Sequence, residues 1–258
     1  ICTVGPASAN EETLTRMCRA GMNVARLNFS HGTHEEHLEK INMIKAVREE
    51  LGLPVAIMLD TKGPEYRIKT FENDFVELAT GDRFIFTTDD VIGNQERVSV
   101  SYKGMMQDLE KGNTILLNNG LMRFVVDEIT DNEAICTVID GGKLSNRKSM
   151  SFPGKVLKQL YLSEQDKNDI LFGAENDVDF IACSFVSCAQ DLIDVKNFLK
   201  ENNVSGIDLL AKIENQAGID NIEEILDKCE GVMIGRGDMG VEIPFEELPA
   251  IQKHLITK

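Results

Sequence analysis

The sequence has little positive charge. Its 27 Lys and Arg residues stand against 43 Asp and Glu residues, which gives a formal net charge of −16 at pH 7. Binding to nucleic acid needs a basic face that displaces counterions, so this balance excludes a nucleic-acid partner. The net negative charge is compatible with the binding of phosphorylated small molecules, because screening over about 8 Å lets a local basic pocket act independently of a distant acidic surface.

Long apolar runs and paired cysteines are absent as well. No apolar run approaches the length that spans a membrane and no signal-peptide pattern opens the chain, so we expect a cytoplasmic protein without a membrane partner. The six cysteines are scattered without a C-x-x-C pair, which is typical of reduced packing residues. Because Ile1 already lies in a strand-like run and is not an initiator Met, we expect the N-terminus to be cut.

Residues 1 to 65 alternate strand and helix patterns. Apolar runs predict buried strands at 22–30 and 54–59, and each run is followed or ended by polar residues. The capping-box patterns Ser8-x-x-Glu11 and Thr33-x-x-Glu36 predict helices that end at Gly21 and Gly52. Apolar residues at helical spacing predict the buried face of the second helix, at Leu38, Ile41, Ile44, Val47 and Leu51.

The same alternation resumes after residue 155. Ser163-x-x-Asp166 predicts a helix start, and further helices are predicted from about Gln190 to Glu201 and over 219–226. Strand patterns lie at 179–185, 209–215 and 232–238. Strands joined by helices imply a parallel sheet, and polar residues at the strand ends imply a barrel mouth or the switch point of an open sheet.

The intervening residues have a different pattern. Short β-rich runs at 83–87, 114–117, 121–127 and 134–139 are separated by turn residues, and the stretch is bounded by Pro64 and Pro153-Gly154. The α/β part amounts to about six βα units, whereas a closed barrel needs eight. The predicted fold class is α/β: a (β/α)8 TIM barrel (residues 1–65 and 155–258) truncated after about six units, with a small all-β barrel domain (residues 66–154) inserted after the third strand.

Residues suited to chemistry gather at the predicted strand ends. Strand periodicity puts Lys212 and Glu214 on one face, and two parallel strands ending side by side would bring Glu214 to Asp238. Two carboxylates with a lysine suit a divalent metal and a charged oxyanion, although a buried ion pair can be purely structural.

A second polar set follows an earlier strand. Period two puts Arg26, Asn28 and Ser30 on one face at the strand end, although Asn and Ser alone are more often turn or cap residues. Two histidines, His34 and His37, lie one helical turn apart, which is weak metal spacing; we expect both on the solvated surface.

Four segments resemble signatures of the pyruvate kinase family, in that family's order. They are Ala25-Arg26-Leu27-Asn28-Phe29-Ser30-His31-Gly32, Leu59-Asp60-Thr61-Lys62-Gly63-Pro64-Glu65, Lys212-Ile213-Glu214-Asn215 and Gly235-Arg236-Gly237-Asp238-Met239-Gly240-Val241-Glu242-Ile243-Pro244. The predicted β module lies between the second and third segments, where the family carries a mobile lid domain. The resemblance extends from Ile1 to Lys258 and implies a phosphotransferase that moves the phosphoryl group of phosphoenolpyruvate to ADP, giving pyruvate and ATP.

The resemblance implies a role for each strand-end residue. Lys212 and Arg26 would be catalytic and would bind the phosphoryl oxygens, since the loose transition state needs mainly positioning and charge. Glu214 and Asp238 would hold Mg2+ (or Mn2+) against the enolpyruvate oxygens. The backbone amides of Gly237 and Asp238 would bind the substrate carboxylate.

The resemblance also implies a K+ ion and a nucleotide. The K+ ligands would be the oxygen donors Asn28, Ser30, Asp60 and Thr61, and Glu65 matches the K+-dependent branch of the family. Family positions for the nucleotide fall on Asn28, His31, Arg67 and Lys148. Ala217, Tyr66 and Ser149 depart from the usual signatures, but none of them is a proposed ligand.

Two other functions stay open at this point. A Mg2+-dependent lyase or aldolase on the same barrel would also stabilise a pyruvate enolate with a Glu and an Asp, but it leaves the K+ residues and the inserted module unexplained. A fragment with exposed strand edges could also bind Mg2+ or phosphate weakly without turnover. The family's seventh and eighth strands and C-terminal domain have no match here, so we expect the parent enzyme, a homotetramer, to be active and the fragment alone inactive.

Overall fold

The computed structural model of the protein describes residues 1–155 and 157–258. In chain order its strands are β1 Cys2–Thr3, β2 Val24–Asn28, β3 Ala56–Asp60, β4 Tyr66–Arg67, β5 Phe75–Leu78, β6 Arg83–Thr87, β7 Arg97–Ser99, β8 Thr114–Leu117, β9 Met122–Ile129, β10 Glu133–Asp140, β11 Gly142–Ser145, β12 Ser149–Ser151, β13 Phe180–Cys183, β14 Asp208–Ile213 and β15 Gly231–Ile234. Its helices are α1 Glu11–Arg19, α2 His34–Leu51, α3 Met105–Asp108, α4 Glu164–Glu175, α5 Ala189–Glu201, α6 Gln216–Asp220, α7 Ile222–Leu226, α8 Arg236–Glu242 and α9 Leu248–Thr257.

The chain divides into two compact units. The first unit comprises Ile1–Gly63, Tyr161–Ile213 and Asn221–Ile234, and the second comprises Pro64–Leu160, Glu214–Asp220 and Gly235–Lys258. Within the described ranges, no helix combines the length and the apolar character needed to cross a membrane.

The first unit is built on a parallel sheet. Its strands follow the order β1-β2-β3-β13-β14-β15, and each neighbouring pair is parallel. Helices α1, α2, α4, α5 and α7 belong to the same unit, so the predicted α/β class is confirmed. The core consists of fully buried aliphatic side chains, among them Leu27, Ile57, Leu59, Ile181 and Ile213.

Strand register aligns the carboxyl ends that carry the site residues. Asn28 of β2 is the partner of Asp60 of β3, and Asp60 is the partner of Ala182 of β13. One step further along the sheet, Cys183 is the partner of Ala211, which immediately precedes Lys212. Because parallel strands end at the same edge, side chains far apart in sequence meet there.

The second unit is β-rich. Its larger sheet has the order β4-β12-β8-β9-β10-β6-β7 and is antiparallel except for the β6 and β7 pair, and β5 and β11 form a separate ribbon. Phe84, Phe86 and Phe124 are fully buried and meet in tilted and edge-to-face contacts. The strands predicted at 83–87 and 114–117 are confirmed, whereas the helical turn α3 was not predicted.

The capping prediction for α1 was wrong. The N-cap is Asn10, whose side chain accepts a hydrogen bond from the Thr13 amide at 2.9 Å. Ser8 closes a turn with Gly5 instead, because its hydroxyl accepts from the Gly5 amide at 3.1 Å. The capping boxes predicted at Thr33 and Ser163 are both present.

Three other local predictions need correction. Leu38 lies exposed, and His37 takes its place on the buried face of α2 beside Ile41. The helix predicted over 219–226 is divided between α6 and α7. Strand β15 ends at Ile234, and Asp238 lies in the first turn of α8 rather than at the end of a strand.

Replacing Asn10 with Ala should lower the free energy of unfolding by about 1 kcal/mol, because the Thr13 amide loses its cap. The Asn10→Asp variant should keep most of the stability, since a carboxylate accepts the same bond. Chemical denaturation of both variants beside Ser8→Ala is the measurement. A larger loss for Ser8→Ala than for Asn10→Ala would contradict the cap assignment.

Candidate functional site

A buried carboxylate with two cationic partners forms the centre of the candidate site in the first unit. Asp60 ends strand β3 and is 1% exposed. Arg26 of β2 pairs with it through Nη2 and donates from Nε to Oδ2 at 2.6 Å. Lys212 of β14 approaches from the other side, with Nζ 3.0 Å from Asp60 Oδ1.

Ser184 links the same groups and was not predicted. The Lys212 ammonium donates to Ser184 Oγ at 2.7 Å, and Ser184 Oγ lies 2.6 Å from the Thr61 carbonyl and 3.2 Å from Asp60 Oδ1. The Ser184 amide donates to Thr61 Oγ1 at 3.1 Å. A signal was available in the sequence, because Ser184 is the polar residue directly after the apolar strand β13, and Asp60 and Lys212 are polar residues at or near the ends of β3 and β14.

Two cations lie close together in this cluster. Arg26 and Lys212 both pair with Asp60, in a chain that is strongly acidic overall. Asp60 and Lys212 are buried, and the Arg26 side chain is one quarter exposed. In such partly desolvated surroundings the field of a cation is screened less than on the open surface.

The predicted K+ ligands lie at the same strand ends. Thr61 Oγ1 is buried and lies 3.3 Å from the Ala182 carbonyl, to which it donates. Asn28 is half-buried opposite Asp60, and its Oδ1 accepts from the Ser30 amide at 3.0 Å. Ser30 lies exposed in the turn after β2. The structure therefore brings Asn28, Asp60 and Thr61 together, with Ser30 tied to Asn28.

The predicted Mg2+ ligands belong to the second unit. Glu214 is 3% exposed, and a Cβ added at Gly235 would lie 2.6 Å from its Oε1, so only glycine leaves room for this carboxylate. Asp238 and Gly237 lie exposed in the first turn of α8, and the space over Gly237 is open. Among the described residues, no group of three or more His, Cys, Asp and Glu side chains is arranged to hold a metal ion.

Two predicted nucleotide residues lie near each other in the second unit, Arg67 in β4 and Lys148 immediately before β12. Arg67 of β4 is the partner of Ser149 in β12, and the Ile68 amide donates to the Lys148 carbonyl at 3.0 Å. The Arg67 guanidinium pairs with Glu65 and donates to the Arg147 carbonyl at 2.6 Å. In the first unit, His31 is exposed in the turn that follows β2.

The prediction of two solvated histidines was wrong. His37 is 2% exposed, stacks on Phe29 with ring centroids 3.9 Å apart, and its Nε2 lies 2.8 Å from the His31 carbonyl. Because a carbonyl only accepts, Nε2 carries the proton. His34 lies half-buried with Nε2 2.6 Å from Asp169 Oδ1. A helical-spacing pattern cannot reveal these partners, which come from the preceding turn and from α4.

The titration of His37 follows from this setting. Burial lowers the pKa of His37, against a smaller opposite effect of its hydrogen bond with His31. Its Nδ1 is buried without a hydrogen-bond partner, so a proton there would lack an acceptor. Neutral His37 therefore holds the His31 turn in place.

All of residues 1–258 match the profile of the pyruvate kinase barrel domain. The chain is 47% identical over 260 residues to a pyruvate kinase of Bacillus licheniformis, covering all of this chain and 44% of the relative. It is 44% identical over 259 residues to a pyruvate kinase of Clostridium perfringens, again over all of this chain and 55% of the relative.

A solved structure is similar over the same range. The crystal structure of a pyruvate kinase from Cryptosporidium parvum superposes with a TM-score of 0.95 at 36% sequence identity, covering 99% of this chain and 54% of the other. The chain thus spans about half the length of the curated relatives that it matches.

Lowering the pH should destabilise the protein through His37. Just below pH 6.5 the unfolded state takes up a proton at the ordinary pKa while folded His37 stays neutral, so the free energy of unfolding falls as the pH falls through this range. His37→Gln keeps an amide donor for the His31 carbonyl but does not titrate, and should flatten that dependence. The same substitution at exposed His254 corrects for the generic loss of a histidine. An unchanged pH dependence in His37→Gln would contradict this account.

Replacing Asp60 with Asn should lower the free energy of unfolding by about 3 kcal/mol or more, because the buried Lys212 ammonium loses a counterion. The matched control is Asp177→Asn, which breaks an exposed pair with Lys45 at 2.8 Å and should change stability by less than about 1 kcal/mol. Chemical denaturation at pH 7.5 or so measures both. Equal losses would show that the charge cluster does not stabilise the fold.

Proposed function

Because the chain belongs to the pyruvate kinase family, we propose that the complete protein transfers the phosphoryl group of phosphoenolpyruvate to ADP, giving pyruvate and ATP. The observation that best supports this is the pair of cations, Arg26 and Lys212, that flank Asp60 at the carboxyl ends of parallel strands. In the transfer, the bond between phosphorus and the enol oxygen breaks and a bond from phosphorus to a β-phosphate oxygen of ADP forms. The enolate that leaves takes up a proton at carbon.

Arg26 and Lys212 bind the transferring phosphoryl group. Its transition state is loose and spreads negative charge over three equatorial oxygens, so the protein contributes positioning and positive charge rather than covalent chemistry. Asp60 pairs with both cations and so holds them near each other. Ser184 fixes the ammonium of Lys212 through a 2.7 Å hydrogen bond, which limits the reorganisation needed during transfer.

Glu214 and Asp238 hold a Mg2+ or Mn2+ ion in this proposal. Both donors are carboxylates, as a hard cation prefers, and the glycine at 235 leaves space beside the buried Glu214. Mg2+ is usually bound by one or two protein carboxylates together with substrate and water, which agrees with a donor set of two. The bound ion supplies Lewis-acid stabilisation of the enolate oxygen. The exposed amides of Gly237 and Asp238 bind the substrate carboxylate.

A K+ ion and the nucleotide complete the proposed site. Asn28, Ser30, Asp60 and Thr61 offer the oxygen atoms for K+, and three of them lie at adjacent strand ends. The nucleotide phosphates take Asn28, His31, Arg67 and Lys148 as polar partners. Arg67 and Lys148 support this role because β4, which carries Arg67, pairs with β12, which Lys148 immediately precedes.

We propose the architecture on the same basis. Residues 1–65 and 155–258 form a (β/α)8 barrel truncated after about six units, and residues 66–154 form an all-β lid inserted after the third strand. The complete protein is a cytoplasmic homotetramer that works on phosphoenolpyruvate and ADP, and the chain by itself is inactive. The enolate-stabilising lyase is not favoured, because the relatives named above are pyruvate kinases.

Replacing Lys212 with Met should lower kcat for pyruvate formation by about a thousandfold or more, because a cation on the transferring phosphoryl group is lost. The assay uses the protein expressed from the complete reading frame, with phosphoenolpyruvate, ADP and Mg2+, in the presence and absence of K+. The matched control is Lys45→Met, which removes a lysine from a surface ion pair and should keep kcat within about twofold of the wild type.

Each arm of this experiment has a result that would contradict the proposal. If the folded wild-type protein forms no pyruvate from phosphoenolpyruvate, the proposed activity is wrong. If pyruvate forms equally well without K+, the monovalent-ion site is wrong. An unimpaired Lys212→Met variant would remove Lys212 from the catalytic residues.

A further inference from the structure

The backbone of Ser184 contacts the two residues at which the chain first leaves and first re-enters the first unit. Gly63 is the last residue before the chain first enters the second unit, and Tyr161 is the first residue after its first return. The Tyr161 hydroxyl donates to the Ser184 carbonyl at 2.7 Å. Gly63 has φ +71°, and a Cβ there would lie 2.7 Å from the same carbonyl oxygen. The Ser184 carbonyl is therefore held between these two residues.

The side chain of Ser184 lies in the candidate site. Its hydroxyl accepts from the Lys212 ammonium at 2.7 Å and lies 2.6 Å from the Thr61 carbonyl. A hydroxyl has one proton, and the shorter contact to the Thr61 carbonyl makes that the donated bond. The orientation of Ser184 therefore sets the position of Oγ, the atom that accepts the hydrogen bond from the Lys212 ammonium.

The peptide between Ser184 and Phe185 is held in a costly conformation. Phe185 has φ +55°, a left-handed conformation that is unfavourable by about 1 kcal/mol or more for a residue with a side chain. The Tyr161 hydroxyl holds this peptide on its carbonyl oxygen. On the other side, the Val186 amide donates to the Lys212 carbonyl at 3.3 Å. Without the hydrogen bond from Tyr161, Phe185 would be free to return to a negative φ. The accompanying rotation of the peptide would change the orientation of Ser184.

We propose that Tyr161 is a positioning residue for Lys212. Its hydroxyl fixes the Ser184 peptide, and Ser184 Oγ in turn fixes the ammonium that binds the transferring phosphoryl group. Tyr161 does not touch the reacting atoms in this scheme. The inference rests on the proposed function only in assuming that Lys212 binds the transferring phosphoryl group. The contacts that lead from Tyr161 through Ser184 to Lys212 are a feature of the fold.

The test replaces Tyr161 with Phe, which removes one oxygen atom and leaves the buried ring in place. The matched control is Tyr102→Phe, because the Tyr102 hydroxyl also donates a 2.7 Å bond, in this case to Asp108 in the second unit. In the full-length protein, Tyr161→Phe should lower kcat about five- to fiftyfold and leave the KM for ADP within about twofold. The control should leave both constants close to those of the wild type.

Two further readouts separate positioning from a general loss of stability. In protein labelled with [13Cε]lysine, Tyr161→Phe should shift the NMR signal of Lys212, which is identified by its loss in Lys212→Arg. Tyr102→Phe should not shift it. The double variant Tyr161→Phe with Ser184→Ala should have a kcat close to that of Ser184→Ala alone, because both substitutions act on one contact.

The outcomes are distinct. A wild-type kcat and an unmoved Lys212 signal in Tyr161→Phe would overturn the inference, and so would fully additive losses in the double variant. If the wild-type protein forms no pyruvate, the proposed function fails, and the NMR comparison of Tyr161→Phe with Tyr102→Phe still decides whether Tyr161 positions Lys212.

Discussion

One buried carboxylate, Asp60, with cations on both sides is the interaction on which the candidate site depends. An unpaired charge in this position would be strongly destabilising, so the burial of Asp60 and Lys212 depends on their pairing. Arg26, Asp60 and Lys212 each come from a different strand, and the strands are neighbours or near neighbours in one parallel sheet. The same three side chains stabilise the first unit and, in the proposed function, hold the two cations that bind the phosphoryl group.

In each unit, the backbone of a glycine packs closely against a polar residue of the candidate site. Gly63 leaves no space for a side chain next to Ser184, and Gly235 leaves none next to Glu214. In both places the glycine follows a strand of the parallel sheet and packs against a residue of the proposed site. The glycines thus set how closely the backbone can approach Glu214 and Ser184. The identity of the charged residues does not determine this distance.

Local patterns in the sequence predicted local structure well. The capping boxes at Thr33 and Ser163 and the strand Arg83–Thr87 follow from signals contained within a few residues. Partners that come from distant segments could not be predicted in this way. The sequence placed Asp60 among oxygen ligands, but its pairing with Lys212 depends on the register of β3, β13 and β14. His37 was wrongly expected in solvent because its partners, Phe29 and the His31 carbonyl, lie in a turn that helical spacing does not describe.

Arg26 and Lys212 are proposed to form one binding site for a phosphoryl group. Calorimetric titration of phosphoenolpyruvate, with Mg2+ present, into the wild-type full-length protein and into Arg26→Gln, Lys212→Met and the double variant tests it most directly. The account predicts that each single variant loses most of the binding and that the double variant loses little more, because both cations act on the same group. Binding at wild-type strength in either single variant would contradict it.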